Sequence, residues 1–273
     1  MNTTRLNCGR ILLLALLLVA LLLVAQPVLA EPLLITQAHA HNDYVHAHPL
    51  LDALTNGFCS VEADVFLTNG ELRVAHELAA TVPGRTLQSL YLDPLRARVQ
   101  TFGGAVYAHG PQFTLLIELK QDWSVGWPAL NAVLTNYADV LSSWGPEGAK
   151  TNAIIAIITG HRDPAMFAGE TVRYAALDGH LSDLDSNPPA ALVPWISESW
   201  RSIFHWNGMG AIPDDELQRL QDIVRRAHQQ GRRVRFWGAP DNPNFWQVMH
   251  VAGVDLINTD NLPGVRKFFA DGQ

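Results

Sequence analysis

Two carboxylates placed two residues apart inside an apolar run, Val61-Glu62-Ala63-Asp64-Val65, are the first feature of this sequence that demands a chemical reason. On a β-strand alternate residues share a face, so Glu62 and Asp64 project to one side about 7 Å apart along the backbone. Burying two like charges is costly unless a counter-charge meets them. A hard divalent cation with oxygen ligands supplies one, and a third acid leaves another apolar run in Leu115-Leu116-Ile117-Glu118-Leu119-Lys120. The simpler alternative is pairing of these acids with Lys120 or an arginine. His41 and His76 would stand on either side of that cation, which provides the base and the acid that displacement at phosphorus needs. Asn42 adds a neutral oxygen ligand, and Lys120 offers a point charge for phosphate oxygens. Trp237 would wall the site and Asp260 would hydrogen-bond behind it, although the first reads equally as core and the second as a turn cap.

Such residues work only if strands deliver them to one place. Eight apolar, β-branched runs are expected as strands: Leu34 to His39, Ser60 to Leu67, Thr114 to Leu119, Ala153 to Ile158, Val172 to Leu177, Leu192 to Ile196, Arg233 to Trp237 and Val254 to Asn258. Helices or loops are expected between them at Pro49 to Thr55, Leu87 to Phe102, Ala129 to Ser143, Pro164 to Phe167, Asp214 to Gln230 and Asn244 to His250. In Asp214 to Gln230 the residues Leu217, Leu220, Ile223, Val224 and Ala227 share one helical face. A short extra strand, Glu71 to His76, returns against Ser60 to Leu67 through the turn dipeptide Asn69-Gly70. The alternation of strand and helix predicts a parallel sheet buried on both faces, and eight strands predict a closed (β/α)₈ TIM barrel. Barrel enzymes carry their chemistry at the carboxyl ends of the strands, where His41, Glu118 and their neighbours fall.

The first thirty residues read as a leader. Arg5 and Arg10 precede an unbroken apolar run from Ile11 to Ala25, and Pro27 and small residues then prepare cleavage after Ala30. At ~1.5 Å per residue that run spans roughly 22 Å, short of the ~30 Å of a bilayer core, which favours a cleaved signal over a retained anchor. Residues 31–273 are then a single catalytic domain, exported to a periplasmic or extracellular site. Cys59 is the one cysteine left beyond the leader, so no intrachain disulfide is available. The net charge of −7 becomes more negative once Arg5 and Arg10 are removed, which argues against a nucleic-acid partner. A monomer acting on a small phosphodiester or a phospholipid-derived substrate, at a membrane surface or free, is expected.

His41-Asn42, Glu62-x-Asp64, His76 and Glu118-x-Lys120 resemble the active-site motifs of the superfamily that contains phosphatidylinositol-specific phospholipases C, glycerophosphodiester phosphodiesterases and spider-venom phospholipase D. More closely, His41-Asn42-Asp43-Tyr44, Ser60-Val61-Glu62-Ala63-Asp64 and Leu87-Gln88-Ser89-Leu90-Tyr91-Leu92-Asp93-Pro94-Leu95 resemble the fungal altered-inheritance-of-mitochondria family and its bacterial relatives. The resemblance implies a barrel whose single divalent cation, Mg²⁺ or Ca²⁺, is held by Glu62, Asp64 and Glu118, with His41 and His76 as the catalytic pair. Asn42 matches the metal-binding asparagine of eukaryotic phospholipases C. Glycerophosphodiesterases carry arginine and glycine after the first histidine, where this chain has Asn42-Asp43.

The expected function is therefore metal-dependent phosphodiester cleavage, with His41 as base and His76 as acid or the reverse. Two rivals differ in class. An amidohydrolase-like metal hydrolase would use His39 and His41 with His161, His180 and Asp260, and would leave the three acids unexplained. A non-catalytic barrel would bind a phosphate ligand and turn nothing over.

Overall fold

The computed structural model describes residues 33–272, so the expected leader lies outside the described residues. The strands are β1 (Ala38–Ala40), β2 (Ser60–Thr68), β3 (Glu71–Val74), β4 (Phe113–Leu119), β5 (Ser143–Gly145), β6 (Gly148–Lys150), β7 (Ile154–Gly160), β8 (Ala176–Gly179), β9 (Trp195–Ser199), β10 (Arg233–Trp237) and β11 (Ile257–Thr259). Eight of them run parallel in the order β10-β9-β8-β7-β4-β2-β1-β11. The ring is completed by a single parallel bridge, Arg235 to Leu256, in which the Leu256 amide donates to the Val234 carbonyl at 3.1 Å. The expected eight-stranded barrel is thus present, nearly closed.

The strands of the barrel are buried on both faces over most of their length, and the two faces hold different cores. Inside the ring, Leu116, Ile157, Ala176, Trp195 and Leu256 form a small apolar plug. Outside it, a larger core packs the outward strand residues Val61, Ala63, Leu115 and Ile117 against Leu220, Ile223, Val224 and Ala227 of the helical layer. The helices are α1 (Leu51–Thr55), α2 (Asp93–Thr101), α3 (Trp123–Thr135), α4 (Asp183–Ser186), α5 (Trp200–Ile203), α6 (Asp214–Gln229), α7 (Pro243–Ala252) and α8 (Leu262–Asp271). Among the described residues, no helix is long and apolar enough to cross a membrane.

Several expected elements move, each for a physical reason. The helix expected from Ala129 to Ser143 runs from Trp123 to Thr135 instead, capped by Asp122, whose side chain accepts the Ser124 amide, and Pro128 lies within it. Ser143 opens the β5–β6 ribbon, which pairs antiparallel outside the barrel. That ribbon also bridges Trp144 to Arg173, so the Val172 end of the expected fifth strand leaves the barrel and β8 begins only at Ala176. The expected sixth strand shifts likewise, from Leu192 to Ile196 onto Trp195–Ser199. Asn261-Leu262-Pro263 is not merely a turn: Asn261 accepts the Gly264 amide and starts α8, with proline in the first turn where it needs no partner. The hairpin forms as expected, with Asn69 and Gly70 both at positive φ (52° and 80°), the conformation a two-residue turn between twisted strands requires.

Candidate active site

The inward face of β2 points Ser60, Glu62 and Asp64 into the barrel, and β4 lies beside it in parallel register with Glu118 directly opposite Asp64. One oxygen from each of Glu62, Asp64 and Glu118 comes within 4.8 Å of the others, and among the described residues this is the only such group of His, Cys, Asp or Glu side chains. Val65 of β2 pairs with Val74 of β3, and the Ala75 amide donates to the Asp64 carbonyl at 3.2 Å, so the hairpin sets His76 beside Asp64. On the other flank β1 hands the chain to His41, whose amide donates to the Thr259 carbonyl at 3.0 Å. These residues surround a cavity of about 330 Å³ at the carboxyl ends of the strands, lined by His41, Asn42, Glu62, His76, Glu118, Lys120 and Trp237 among others, with Asp64 fully buried beneath.

The electrostatics differ sharply among the three acids. Burial raises the pKa of Glu62, but the Arg235 guanidinium, 3.6 Å away, together with the His39 hydrogen bond and the charge on His41, outweighs it and holds the carboxyl well below the usual range. Asp64 is raised by burial and by the Glu62 charge, and Glu118 by burial and by the Asp64 charge. Lys120 bridges the last two, its Nζ 3.2 Å from Asp64 Oδ2 and 3.2 Å from Glu118 Oε1, and this pairing leaves one of its three N–H donors free. Oδ2 of Asp64 also receives the Tyr44 hydroxyl at 2.7 Å, whereas Oδ1 is buried with no hydrogen-bond partner. An orphaned carboxylate oxygen among three converging acids, two of them under-compensated, is what a hard divalent cation relieves. The donor set fits Mg²⁺ or Ca²⁺.

Both histidines have their tautomer set by an acceptor. His41 Nδ1 lies 2.9 Å from Asp260 Oδ1, which accepts only, so Nδ1 carries the proton and Nε2 is left for exchange. Burial opposes the charge on His41, but the Asp260 hydrogen bond and the Glu62 charge prevail and raise its pKa. His76 Nδ1 lies 3.2 Å from Asp64 Oδ2, and its side chain is 58% exposed, open to an incoming substrate. His39 is different. It is fully buried against Ser60 and Trp195, and burial lowers its pKa to about 4. His161 and His180 are exposed, so the nitrogen-rich site of the amidohydrolase alternative is not assembled.

Asn42 adopts the left-handed region (φ 47°, ψ 40°) that asparagine tolerates, which aims its amide at Glu62 Oε2, 3.4 Å away. Its side chain lies between Tyr44 and His41. Trp237 stands at the cavity mouth, 45% exposed. Two important residues escaped the sequence reading. Arg235 is buried inside β10, where it joins Glu62 to Asp178 (3.5 Å) and reaches Ser197 and Asn258. Tyr44 joins the β1 loop to Asp64 and His76. A charged residue at the centre of a strand, between Val234 and Phe236, was the available signal for Arg235; for Tyr44 there was none beyond its place in the motif.

The family model described as an AIM6-like phosphodiesterase domain matches residues 29–178, more than half of the chain. The chain belongs to the AIM6-like phosphodiesterase family. A second model, the glycerophosphoryl diester phosphodiesterase family, matches residues 233–263. Altered inheritance of mitochondria protein 6 of Eremothecium gossypii is 30% identical over 271 residues, covering 86% of this chain and 70% of that protein. The homolog in Arthroderma benhamiae is 28% identical over 268 residues, covering 85% of this chain and 83% of its own. Among solved structures, glycerophosphodiester phosphodiesterases from Parabacteroides distasonis and Agrobacterium tumefaciens superpose with TM-scores of 0.52 and 0.54. They cover 87% and 86% of this chain and 98% and 100% of their own, each at 15% identity, and so carry the barrel fold over to this member of the AIM6-like family.

Proposed function

We propose that this AIM6-like protein is an exported, metal-dependent phosphodiesterase that cleaves a lipid-type or glycerophosphodiester-type phosphodiester by histidine acid–base chemistry. The observation that carries the reading is the unpartnered, buried Asp64 Oδ1 among the converging oxygens of Glu62, Asp64 and Glu118, with His41 and His76 on the same cavity. Glu62, Asp64 and Glu118 hold the cation, Mg²⁺ or Ca²⁺; Asn42, whose side chain is engaged by its neighbours, supports them from the β1 loop. When bound, a divalent cation withdraws charge from a non-bridging phosphate oxygen and so favours attack at phosphorus.

The chain's own residues do the rest. The unprotonated Nε2 of His41 takes the proton of the attacking hydroxyl, of water or of the substrate itself, as its oxygen bonds to phosphorus. Protonated His76 gives its Nε2 proton to the leaving alkoxide oxygen as that P–O bond breaks. Asp260 stabilises the imidazolium that forms at His41, and Asp64 the one that precedes release at His76. The remaining Lys120 donor binds a phosphate oxygen, and Trp237 contributes an apolar wall for the substrate's organic part. The leader-like start of the sequence supports export, and the anionic overall charge supports a small phosphodiester rather than a nucleic acid.

The test is turnover of a phosphodiester panel by the purified protein, with and without chelator, repeated with His41→Ala and His76→Ala. Cleavage should be lost on chelation, return with Mg²⁺ or Ca²⁺, and collapse in both variants. Turnover that survives chelation, or that neither substitution touches, refutes the reading.

A further inference from the structure

Tyr44 contacts both flanks of the site through its hydroxyl. It is 5% exposed, and its hydroxyl oxygen lies 2.7 Å from Asp64 Oδ2, 2.6 Å from Asn42 Oδ1 and 3.2 Å from His76 Nδ1. A phenol has one proton to give and can accept at its oxygen. The Asp64 carboxylate only accepts, so the proton goes there. The other two neighbours must then donate to the phenol oxygen: His76 through Nδ1–H and Asn42 through its NH₂. The structure turns Asn42 Oδ1 to Tyr44 and Nδ2 to His41 Nδ1, 3.2 Å away; exchanging these two atoms of nearly equal shape puts the NH₂ on Tyr44 and the carbonyl on the His41 Nδ1–H, which it shares with Asp260. This is the arrangement in which every donor finds an acceptor, since an Asn42 NH₂ facing a protonated His41 Nδ1 would set two donors against each other.

We propose that Tyr44 is a positioning residue that couples the two histidines. The chain of hydrogen bonds runs from His41 through Asn42 and Tyr44 to His76 and Asp64, and it holds both imidazoles as Nδ1–H tautomers with Nε2 left for proton transfer. Asp260 anchors His41 independently, so the weaker end is His76. Its side chain is largely exposed and its one other acceptor, Asp64 Oδ2, is 3.2 Å away and shared with Lys120. Removing the phenol oxygen therefore frees His76 first.

The kinetic half of this inference rests on the phosphodiesterase reading, whereas the tautomer half does not. The experiment is imidazole nitrogen NMR on the full chain, wild type and Tyr44→Phe, at a pH where both histidines are neutral. In the wild type His76 should be the Nδ1–H tautomer; in Tyr44→Phe it should relax toward the Nε2–H form preferred in water. The His41 resonances should also move, although Tyr44 does not touch that ring. In turnover, loss of such a supporting contact lowers kcat by about 10- to 100-fold, with KM little changed. A His76 tautomer ratio identical in the two proteins overturns the inference, whatever the activity does. If the wild type cleaves no phosphodiester, the functional reading fails while the NMR comparison still decides the role of Tyr44. Should Tyr44→Phe not fold, Asn42→Gly serves, because glycine keeps the left-handed backbone and removes only the amide link. It should shift the His76 resonances, although Asn42 reaches that ring only through Tyr44, and no movement at His76 overturns the inference equally.

Discussion

Asp43, the residue after the His41-Asn42 pair, gives the sharpest test of the electrostatics around the site. Its side chain is fully buried; Oδ2 accepts the Leu50 amide and the Tyr91 hydroxyl, the latter at 3.0 Å, while Oδ1 has no partner. Burial outweighs those two hydrogen bonds and pushes its pKa from 3.8 up to about 6. A carboxyl raised in the folded state binds its proton more tightly there than in the unfolded chain. The stability it brings is complete below the unfolded value and is lost as pH rises through the folded one. The gap between 3.8 and about 6, at about 1.4 kcal/mol per pH unit, is worth about 3 kcal/mol.

Asp43→Asn keeps an acceptor oxygen for Leu50 and Tyr91 and cannot ionise, so it removes only that pH dependence. Urea denaturation of wild type and variant should give stabilities whose difference moves in the variant's favour by roughly 2–3 kcal/mol between about pH 4 and about pH 8. Taking the difference cancels every other titrating group that the substitution leaves alone. Two stability curves that run parallel across this range would show that Asp43 ionises at its ordinary value, and the account of its burial would be wrong.

Three further perturbations probe the site itself. Gly160 has φ +74°, and a Cβ there would stand 2.6 Å from Glu118 Cγ, so Gly160→Ala should displace Glu118 and weaken cation affinity about 10-fold or more by calorimetry; unchanged affinity would remove Glu118 from the ligand set. Asp260→Ala should lower kcat about 10- to 100-fold while leaving KM and cation affinity near wild type, since it touches only the far nitrogen of His41; a KM effect alone would contradict its assignment. Arg235→Met should cost about 3–5 kcal/mol in denaturation, because it strands Glu62 and Asp178 without their buried counter-charge; a change below about 1 kcal/mol would mean that those acids are neutral in the fold.

How far the fold could be read in advance depended on what ended each strand. The run Arg233 to Trp237 has the bounds of β10, and Ser60 to Leu67 and Thr114 to Leu119 each fall one residue short of their strands, because turn residues stand just beyond these runs: Gly231 and Gly238, Asn69-Gly70, and Gly110-Pro111. The fifth and sixth strands were misplaced toward their apolar beginnings. In β8 and β9 the ladder continues into Asp178-Gly179 and Ser197-Glu198-Ser199, where Asp178 and Ser197 turn inward to meet Arg235. Hydrophobicity marks where a strand is packed by the plug below and the helices outside, and it fails at the carboxyl ends, where the interior turns polar.

The same physics decided which site residues were visible. Glu62, Asp64 and Glu118 stood out because a charge in an apolar strand has no cheap explanation, and the register of β2 against β4 does bring Asp64 and Glu118 together. Arg235 meets the same criterion, but its short run reads as an ordinary strand. It lies one layer below the cavity opening, where it neutralises Glu62 and leaves Asp64 and Glu118 with Lys120 alone. That division of charge matters more than the count of acids. A pocket with every carboxylate already paired would hold a cation weakly, and one with none paired would strain the fold without it. Here Glu62 is fixed as an anion by the protein, while Asp64 keeps one oxygen free of any partner. On the proposed reading, the site is therefore stable enough to form before an ion arrives and unsatisfied enough to bind one.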